Sequence, residues 1–272
     1  MGNTCRKKSS RKRKASGGAF AAWLKVMGAL ALLAVLIIML VFVFGNRDNG
    51  TALNTELIEY EGDIRSYDDG DIRSISGVDV STYQREIDWS KVREQGISFA
   101  MIRCGYRTHE EGILNEDDMF KTNLQGALDV GLDVGVYFYS QAVTEEEAKE
   151  EADYVIDLIK NYSIVYPVAF DMEYTYDDER IKALSSEELT EVAKAFCKRI
   201  ERAGYEPMIY GNHTWLTEHV NLNELDKYDI WIADYSDNLT FPNRVKMWQY
   251  TNEGRVSGIP TNVDLNMFLL YN

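Results

Sequence analysis

From Ile75 onward, apolar runs of strand length alternate with stretches whose apolar residues recur at helical spacing, and no other feature of the 272-residue chain narrows its fold as much. The strand candidates are residues 77–80, 99–104, 134–139, 167–171, 206–210, 230–233, 245–250 and 263–268. Several of the helical stretches between them have legible starts and stops. Thr144-Glu-Glu-Glu147 reads as a capping box, with Ala148, Ala152, Val155, Ile156 and Ile159 following on one face. Ser185 with Glu188 reads as a second box, backed by Leu189, Val192, Ala193, Phe196 and Ile200. Gly131 and Gly204 fall where helix C-termini take a left-handed residue. Eight strands in such alternation predict an α/β fold, a TIM-like (β/α)8 barrel. The span is below the roughly 250 residues typical of that fold, so the barrel is expected to be irregular and shortened. The segments 210–230 and 248–263 are too short or too polar for full outer helices.

The N-terminal part is built differently. Residues 1–18 form a basic tail, and residues 19–45 are almost wholly apolar apart from Lys25. Residues 26–44 alone approach the roughly 20 apolar residues that cross a bilayer. The expectation is one transmembrane helix over 19–45, with Trp23 at the interface, the basic tail cytoplasmic and everything after it outside the cell. A cleaved signal peptide is the competing reading, but the apolar run is long for one and Val43-Phe44-Gly45 lacks a small-x-small cleavage site. Residues 46–75 are polar and read as an extracellular linker, in which Gly62-Asp-Ile-Arg-Ser66 recurs as Gly70-Asp-Ile-Arg-Ser74. The catalytic barrel is then expected over 76–272.

Charge narrows the partners. All 44 acidic residues lie after Gly45, whereas 8 of the 29 basic residues precede it, which leaves 21 basic residues and a formal charge of −23 on the rest. Such a surface repels phosphates, so nucleic acid is excluded as a partner. Cys5, Cys104 and Cys197 show no zinc spacing, and His109, His213 and His219 show no metal-ligand pattern.

The chemistry gathers at strand ends. Residues 167–171 form a Pro-led apolar run that suits a strand buried on both faces, yet it closes on Asp171 and Glu173. Strand residues two apart point the same way at roughly 6.5 to 7 Å, a spacing that suits a pair of carboxylates acting on a glycosidic bond. The competing reading is a strand end whose acids cap a helix or pair with basic residues. Acids recur near other strand ends, at Asp79, Asp234 and Asp264, where a barrel would gather them into one pocket. Aromatic residues recur there too; Tyr137, Tyr139, Tyr210 and Trp248 are the candidates to bind sugar faces and hydroxyls.

In order along the chain, Gly77-Val-Asp-Val-Ser-Thr-Tyr-Gln84 with Ile87-Asp-Trp89, Phe99-Ala-Met-Ile-Arg-Cys-Gly105, Gly135-Val-Tyr-Phe-Tyr139, Pro167-Val-Ala-Phe-Asp-Met-Glu173, Ile230-Trp-Ile-Ala233, Met247-Trp-Gln-Tyr-Thr251 and Val263-Asp-Leu-Asn266 resemble a glycoside hydrolase family 25 lysozyme. The resemblance implies an N-acetylmuramidase that cleaves the β-1,4 bond between N-acetylmuramic acid and N-acetylglucosamine in peptidoglycan glycan strands, without a cofactor. It implies Glu173 as general acid/base, Asp171 as its partner, and Asp79 and Asp264 as supporting acids. Asp171 should stay ionised, either as nucleophile or by orienting the substrate's 2-acetamido group, the route that gives retention and is favoured here. Residues 1–74 lie outside the resemblance. Two other readings stay open: a membrane-tethered peptidoglycan-binding protein with a degenerate site, and a barrel glycosidase acting on chitin-like polymers, whose longer acidic series is interrupted here by Phe170. An anchor on the outer face of the cell membrane favours local cell-wall remodelling or lysis.

Overall fold

The computed structural model describes residues 50–174 and 179–272; the expected basic tail and transmembrane helix lie outside the described residues. Among the described residues no helix is long and apolar enough to cross a membrane.

All eight expected runs are strands: β1 (Ile72–Val80), β2 (Phe99–Arg107), β3 (Asp133–Tyr139), β4 (Val168–Asp171), β5 (Pro207–Asn212), β6 (Asp229–Ala233), β7 (Met247–Gly254) and β8 (Val263–Tyr271). Neighbours from β1 to β7 pair in parallel. Strand β8 runs antiparallel to both β7 and β1 and closes the barrel between them. Its direction follows from chain length. Residues 255–262 can turn a hairpin, whereas a parallel crossover needs roughly a dozen residues or more.

Four helices of six residues or more cover one side, α1 (Trp89–Glu94), α2 (Phe120–Asp129), α3 (Glu145–Ile159) and α4 (Ser186–Arg202), and a single helical turn, Glu179–Lys182, precedes α4. Ser185 and Glu188 make the reciprocal box expected of them. Thr144 caps the Glu147 N–H of α3, but the Glu147 carboxylate accepts from Val143 instead of closing the box. Gly131 and Gly204 take φ of +75° and +90°, as helix ends require. After β5 there are only short turns, Trp215–His219 and Leu222–Glu224, and no helix separates β6 from β7.

The uncovered side is closed by residues 50–71, which corrects the expected linker. The folded unit begins at Gly50. Thr51–Ala52 pairs antiparallel with Thr240–Phe241, and Ile58–Glu61 forms a hairpin with Ile64–Tyr67. Leu53, Ile58, Ile64 and Tyr67 are buried. The Arg65 N–H donates to the Tyr250 hydroxyl at 3.0 Å, and the Arg65 guanidinium lies over the Tyr250 and Trp248 rings. The repeated pentapeptide is thereby explained: Gly62 and Gly70, at φ of +61° and +91°, each turn the chain into a strand that carries Ile-Arg-Ser.

Strand alternation divides the apolar residues. Phe99, Met101, Ala169, Met208, Trp231 and Met247 pack together inside the barrel, with the Phe99 ring stacked on Tyr166 at 4.6 Å. A side chain at Gly77 would collide with that ring, so the close approach requires glycine. Val78, Ile102, Val136, Phe138 and Phe170 belong to the larger outer cluster, with helix residues such as Val155 and Phe196.

Candidate active site

Strand β4 carries Val168, Ala169 and Phe170 in full burial and delivers Asp171 as its last residue, with Glu173 two residues on. Asp79 lies one residue from the end of β1. Asp264 is the second residue of β8, and because that strand runs backwards its start lies at the same end of the barrel; the register sets Asp264 opposite Asp79. The four expected acids therefore share one mouth. Asp79 and Asp171 are buried, and Glu173 is partly exposed.

Two hydrogen-bonded carboxyl pairs result. Asp264 bonds to Asp79, and Asp171 bonds to Glu173. Asp79 Oδ2 also accepts from Asn266 Nδ2 at 2.7 Å and from Gln249 Nε2 at 2.9 Å. Burial raises the Asp79 carboxyl to about 6, with those amide donors opposing the rise. Burial, followed by the Asp79 charge, pushes Asp264 to about 9. Asp171 is pushed well above the ordinary carboxylate range by burial first, then by the charges of Glu173 and Asp79, against the opposing Arg103 guanidinium. Expected to be ionised, Asp171 is thus drawn toward its neutral form in this structure, because the strand end that aims it also removes it from water. Its Oδ1 has no hydrogen-bond partner.

The expected sugar-binding residues divide by strand parity. Tyr137 and Tyr210 point into the barrel, where both rings meet Trp231 edge-on at 5.9 and 4.7 Å. Tyr139 lines a cleft of about 480 Å³ together with Tyr83, Arg103, Tyr106, His109 and Asp117. Trp248 is not in the mouth. Met247 and Gln249 face inward, so Trp248 and Tyr250 face outward, under Arg65. Asp234 also leaves the acid cluster: its carboxylate accepts the Ser236 N–H at 3.0 Å within its own loop, and its carbonyl accepts from Trp248 Nε1 at 2.6 Å.

Several residues in the mouth had no assigned role from sequence. Gln249 and Asn266 were visible in the quoted motifs, and alternation from Met247 and Asp264 would have turned both inward. Arg103 donates to Asp117 through Nε at 2.8 Å and Nη2 at 2.7 Å, and lies between the rings of Tyr83 and Tyr106. Asp117 also accepts the Thr82 N–H, which ties the loop after β1 to β2. This joins residues 35 apart in the chain, and nothing local in the sequence announces it. Tyr83 and Tyr235 are the rim aromatics, at 71% and 51% exposure.

A family model described as glycosyl hydrolases family 25 matches residues 78–259. The chain belongs to that family. The family 25 match begins one residue before Asp79 and ends before Asp264, so it leaves out β8 and the N-terminal cover. YegX of Escherichia coli strain CFT073 is 32% identical over 209 residues, covering 72% of this chain and 70% of that protein. Lysozyme M1 of Streptomyces globisporus is 27% identical over 216 residues, with 76% and 71% covered. Among solved structures, the modular autolysin LytC of Streptococcus pneumoniae in complex with a synthetic peptidoglycan ligand matches with a TM-score of 0.65 and 26% identity. That match covers 72% of this chain and 46% of LytC, so the chain spans about half the length of the autolysin.

Proposed function

We propose that this family 25 protein is an N-acetylmuramidase that hydrolyses the β-1,4 bond between N-acetylmuramic acid and N-acetylglucosamine in peptidoglycan. The observation that carries the reading is the pair Asp171 and Glu173, hydrogen-bonded to each other at a mouth shared with Asp79 and Asp264. Lysozyme M1 and the peptidoglycan complex of LytC support the choice of polymer.

The chemistry follows from one proton shared by Asp171 and Glu173. Glu173, the more exposed of the two, gives a proton to the leaving glycosidic oxygen. As the C–O bond breaks, positive charge develops at the anomeric carbon, and an anionic Asp171 stabilises it. The proton held near Asp171 therefore passes along their hydrogen bond to Glu173 as the reaction proceeds. Arg103 opposes the neutral form of Asp171 and assists that transfer. The unpartnered Asp171 Oδ1 suits an acceptor for the N–H of the substrate's 2-acetamido group, whose oxygen then attacks its own anomeric carbon. Water then attacks the anomeric carbon opposite that oxygen, from the face the leaving group vacated, with Glu173 as base; the ring C–O bond breaks and the two inversions retain the configuration.

The test is mass analysis of muropeptides released from purified walls by wild type and by Glu173→Gln. Loss of general acid catalysis should lower turnover about 10²- to 10⁴-fold without unfolding the protein. A variant that keeps most of its activity would remove Glu173 from the mechanism. Product analysis on chitin beside peptidoglycan separates this reading from that of a chitin-type glycosidase. The apolar stretch 19–45 supports a membrane-anchored enzyme with its barrel outside the cell, acting locally on the wall. If a soluble form starting at Gly50 restores wall remodelling in cells as fully as the complete chain, the anchor has no part in the function.

A further inference from the structure

Below the acids a buried polar chain crosses the barrel. Trp231 Nε1 donates to Asn266 Oδ1 at 2.8 Å, and Asn266 Nδ2 donates to Asp79 Oδ2 at 2.7 Å. Gln249 Nε2 donates to the same oxygen at 2.9 Å, while the hydroxyls of Tyr210 and Tyr235 reach Gln249 Oε1 at 3.1 and 2.9 Å. An indole nitrogen can only donate, so Asn266 must turn its oxygen to Trp231 and its NH2 to Asp79. Two N–H donors converging on Oδ2 favour the anion on Asp79, and the hydrogen bond to Asp264 then places the proton on Asp264. An Asp79 oxygen that accepts also orients Gln249, whose oxygen is left to face the two tyrosines. Gln249 and Asn266 are 3% and 0% exposed, so water does not compete for these bonds, whereas Tyr235 stands half in solvent.

We propose that Gln249 is a positioning residue for glycosidic cleavage, holding Asp79 as the accepting partner of Asp264 and tying that carboxylate to the hydroxyls of buried Tyr210 and half-exposed Tyr235. The proposal rests on the muramidase reading above and deepens it. A sugar seated on the Tyr235 ring restrains its hydroxyl, the hydroxyl restrains Gln249, and Gln249 restrains the carboxyl pair. Binding at the rim is thereby expressed as turnover at the acids.

The full-length chain tests this in two ways. Gln249→Met keeps the side-chain length and removes both donor and acceptor; Tyr235→Phe keeps the ring and removes one hydroxyl. Gln249→Met should lower kcat about 10- to 100-fold, in line with the cost of misplacing a catalytic group by about 1 Å, with KM within about twofold of wild type. Tyr235→Phe should lower kcat a few-fold at unchanged KM. The double variant should be no slower than Gln249→Met alone, because the hydroxyl acts through Gln249. Multiplying effects in the double variant, or changes confined to KM, would overturn the proposal. Should Gln249→Met fail to fold, Tyr235→Phe decides, since a wild-type kcat there breaks the link. The second measurement does not depend on turnover. The infrared band of a protonated carboxyl that Asp264→Asn abolishes should shift in Tyr235→Phe and in Gln249→Met. An unmoved band refutes the link even if the wild type leaves peptidoglycan intact, an outcome that would separately refute the muramidase reading.

Discussion

At the scale of single residues, Asp264 has the clearest thermodynamic consequence. Its folded carboxyl is raised to about 9, whereas an unfolded aspartate titrates near the ordinary 3.8. Between those values the native state holds a proton that the unfolded state has released. Stability from this group is therefore complete below about 4, and declines as pH rises until it is lost beyond the folded value of about 9. Asp79, raised to about 6, adds to the same slope over a narrower window. Asn at position 264 can donate an N–H to Asp79 without titrating. We expect Asp264→Asn to melt at a temperature that depends less on pH than wild type between pH 5 and 9, with the difference growing toward pH 9. Circular dichroism melts over a pH series measure this, and parallel curves would place the proton elsewhere. Activity gives a second reading of the same acids, because Asp171→Asn keeps the shape of the site but cannot become an anion. Turnover of that variant should fall about 10²-fold or more, as when a preorganised group facing developing charge is lost.

At the scale of elements, the strands were legible in the sequence because each of the eight runs is apolar, short and bounded. The direction of β8 was not, since an apolar run does not reveal which neighbour it pairs with; the short connection 255–262 held that information. Trp248 was misplaced for a related reason. Aromatic character marks it as a sugar ligand, while alternation from Met247 sends it outward, and alternation prevails because the backbone leaves it no choice. The N-terminal cover was missed because Leu53, Ile58, Ile64 and Tyr67 are scattered among polar residues and bury themselves against a surface made by distant strands. This element has its own prediction. A chain begun at Gly50 should fold, whereas one begun at residue 76 loses the Ile72–Ile75 half of the β1 pairing with β8 and exposes Trp248 and Tyr250. The shorter chain should aggregate or melt far lower, and equal melting temperatures would return residues 50–75 to the role of linker. Trp248→Ala should cost about 3 to 5 kcal/mol of stability, as for other buried tryptophans, with KM for wall fragments unchanged.

At the scale of the whole molecule, the gathering of four acids at one barrel mouth was legible in the sequence but their protonation was not. A strand end marks where an acid sits; its proton depends on burial and on neighbours brought from other strands, such as Asn266 beside Asp79. The charge of the chain acts over longer range still. The part beyond Gly45 carries a formal charge of −23, while peptidoglycan presents free carboxylates on its peptide stems. Enzyme and polymer therefore repel each other before they meet, and the repulsion slows encounter without altering the bond-breaking step. Salt should relieve it, because at about 0.1 M the screening length has fallen to roughly 10 Å, below the span of the domain. We expect kcat/KM of the soluble domain on purified wall to rise several-fold between about 10 and 150 mM salt while kcat stays nearly constant. With residues 19–45 as the proposed anchor, the rise should be smaller for the 272-residue chain in vesicles pressed against the same wall, since a tether would supply the proximity that free diffusion must achieve against the charge. A rate that falls with salt in the soluble form would show that local positive groups such as Arg103, rather than the net charge, govern the approach of the polymer.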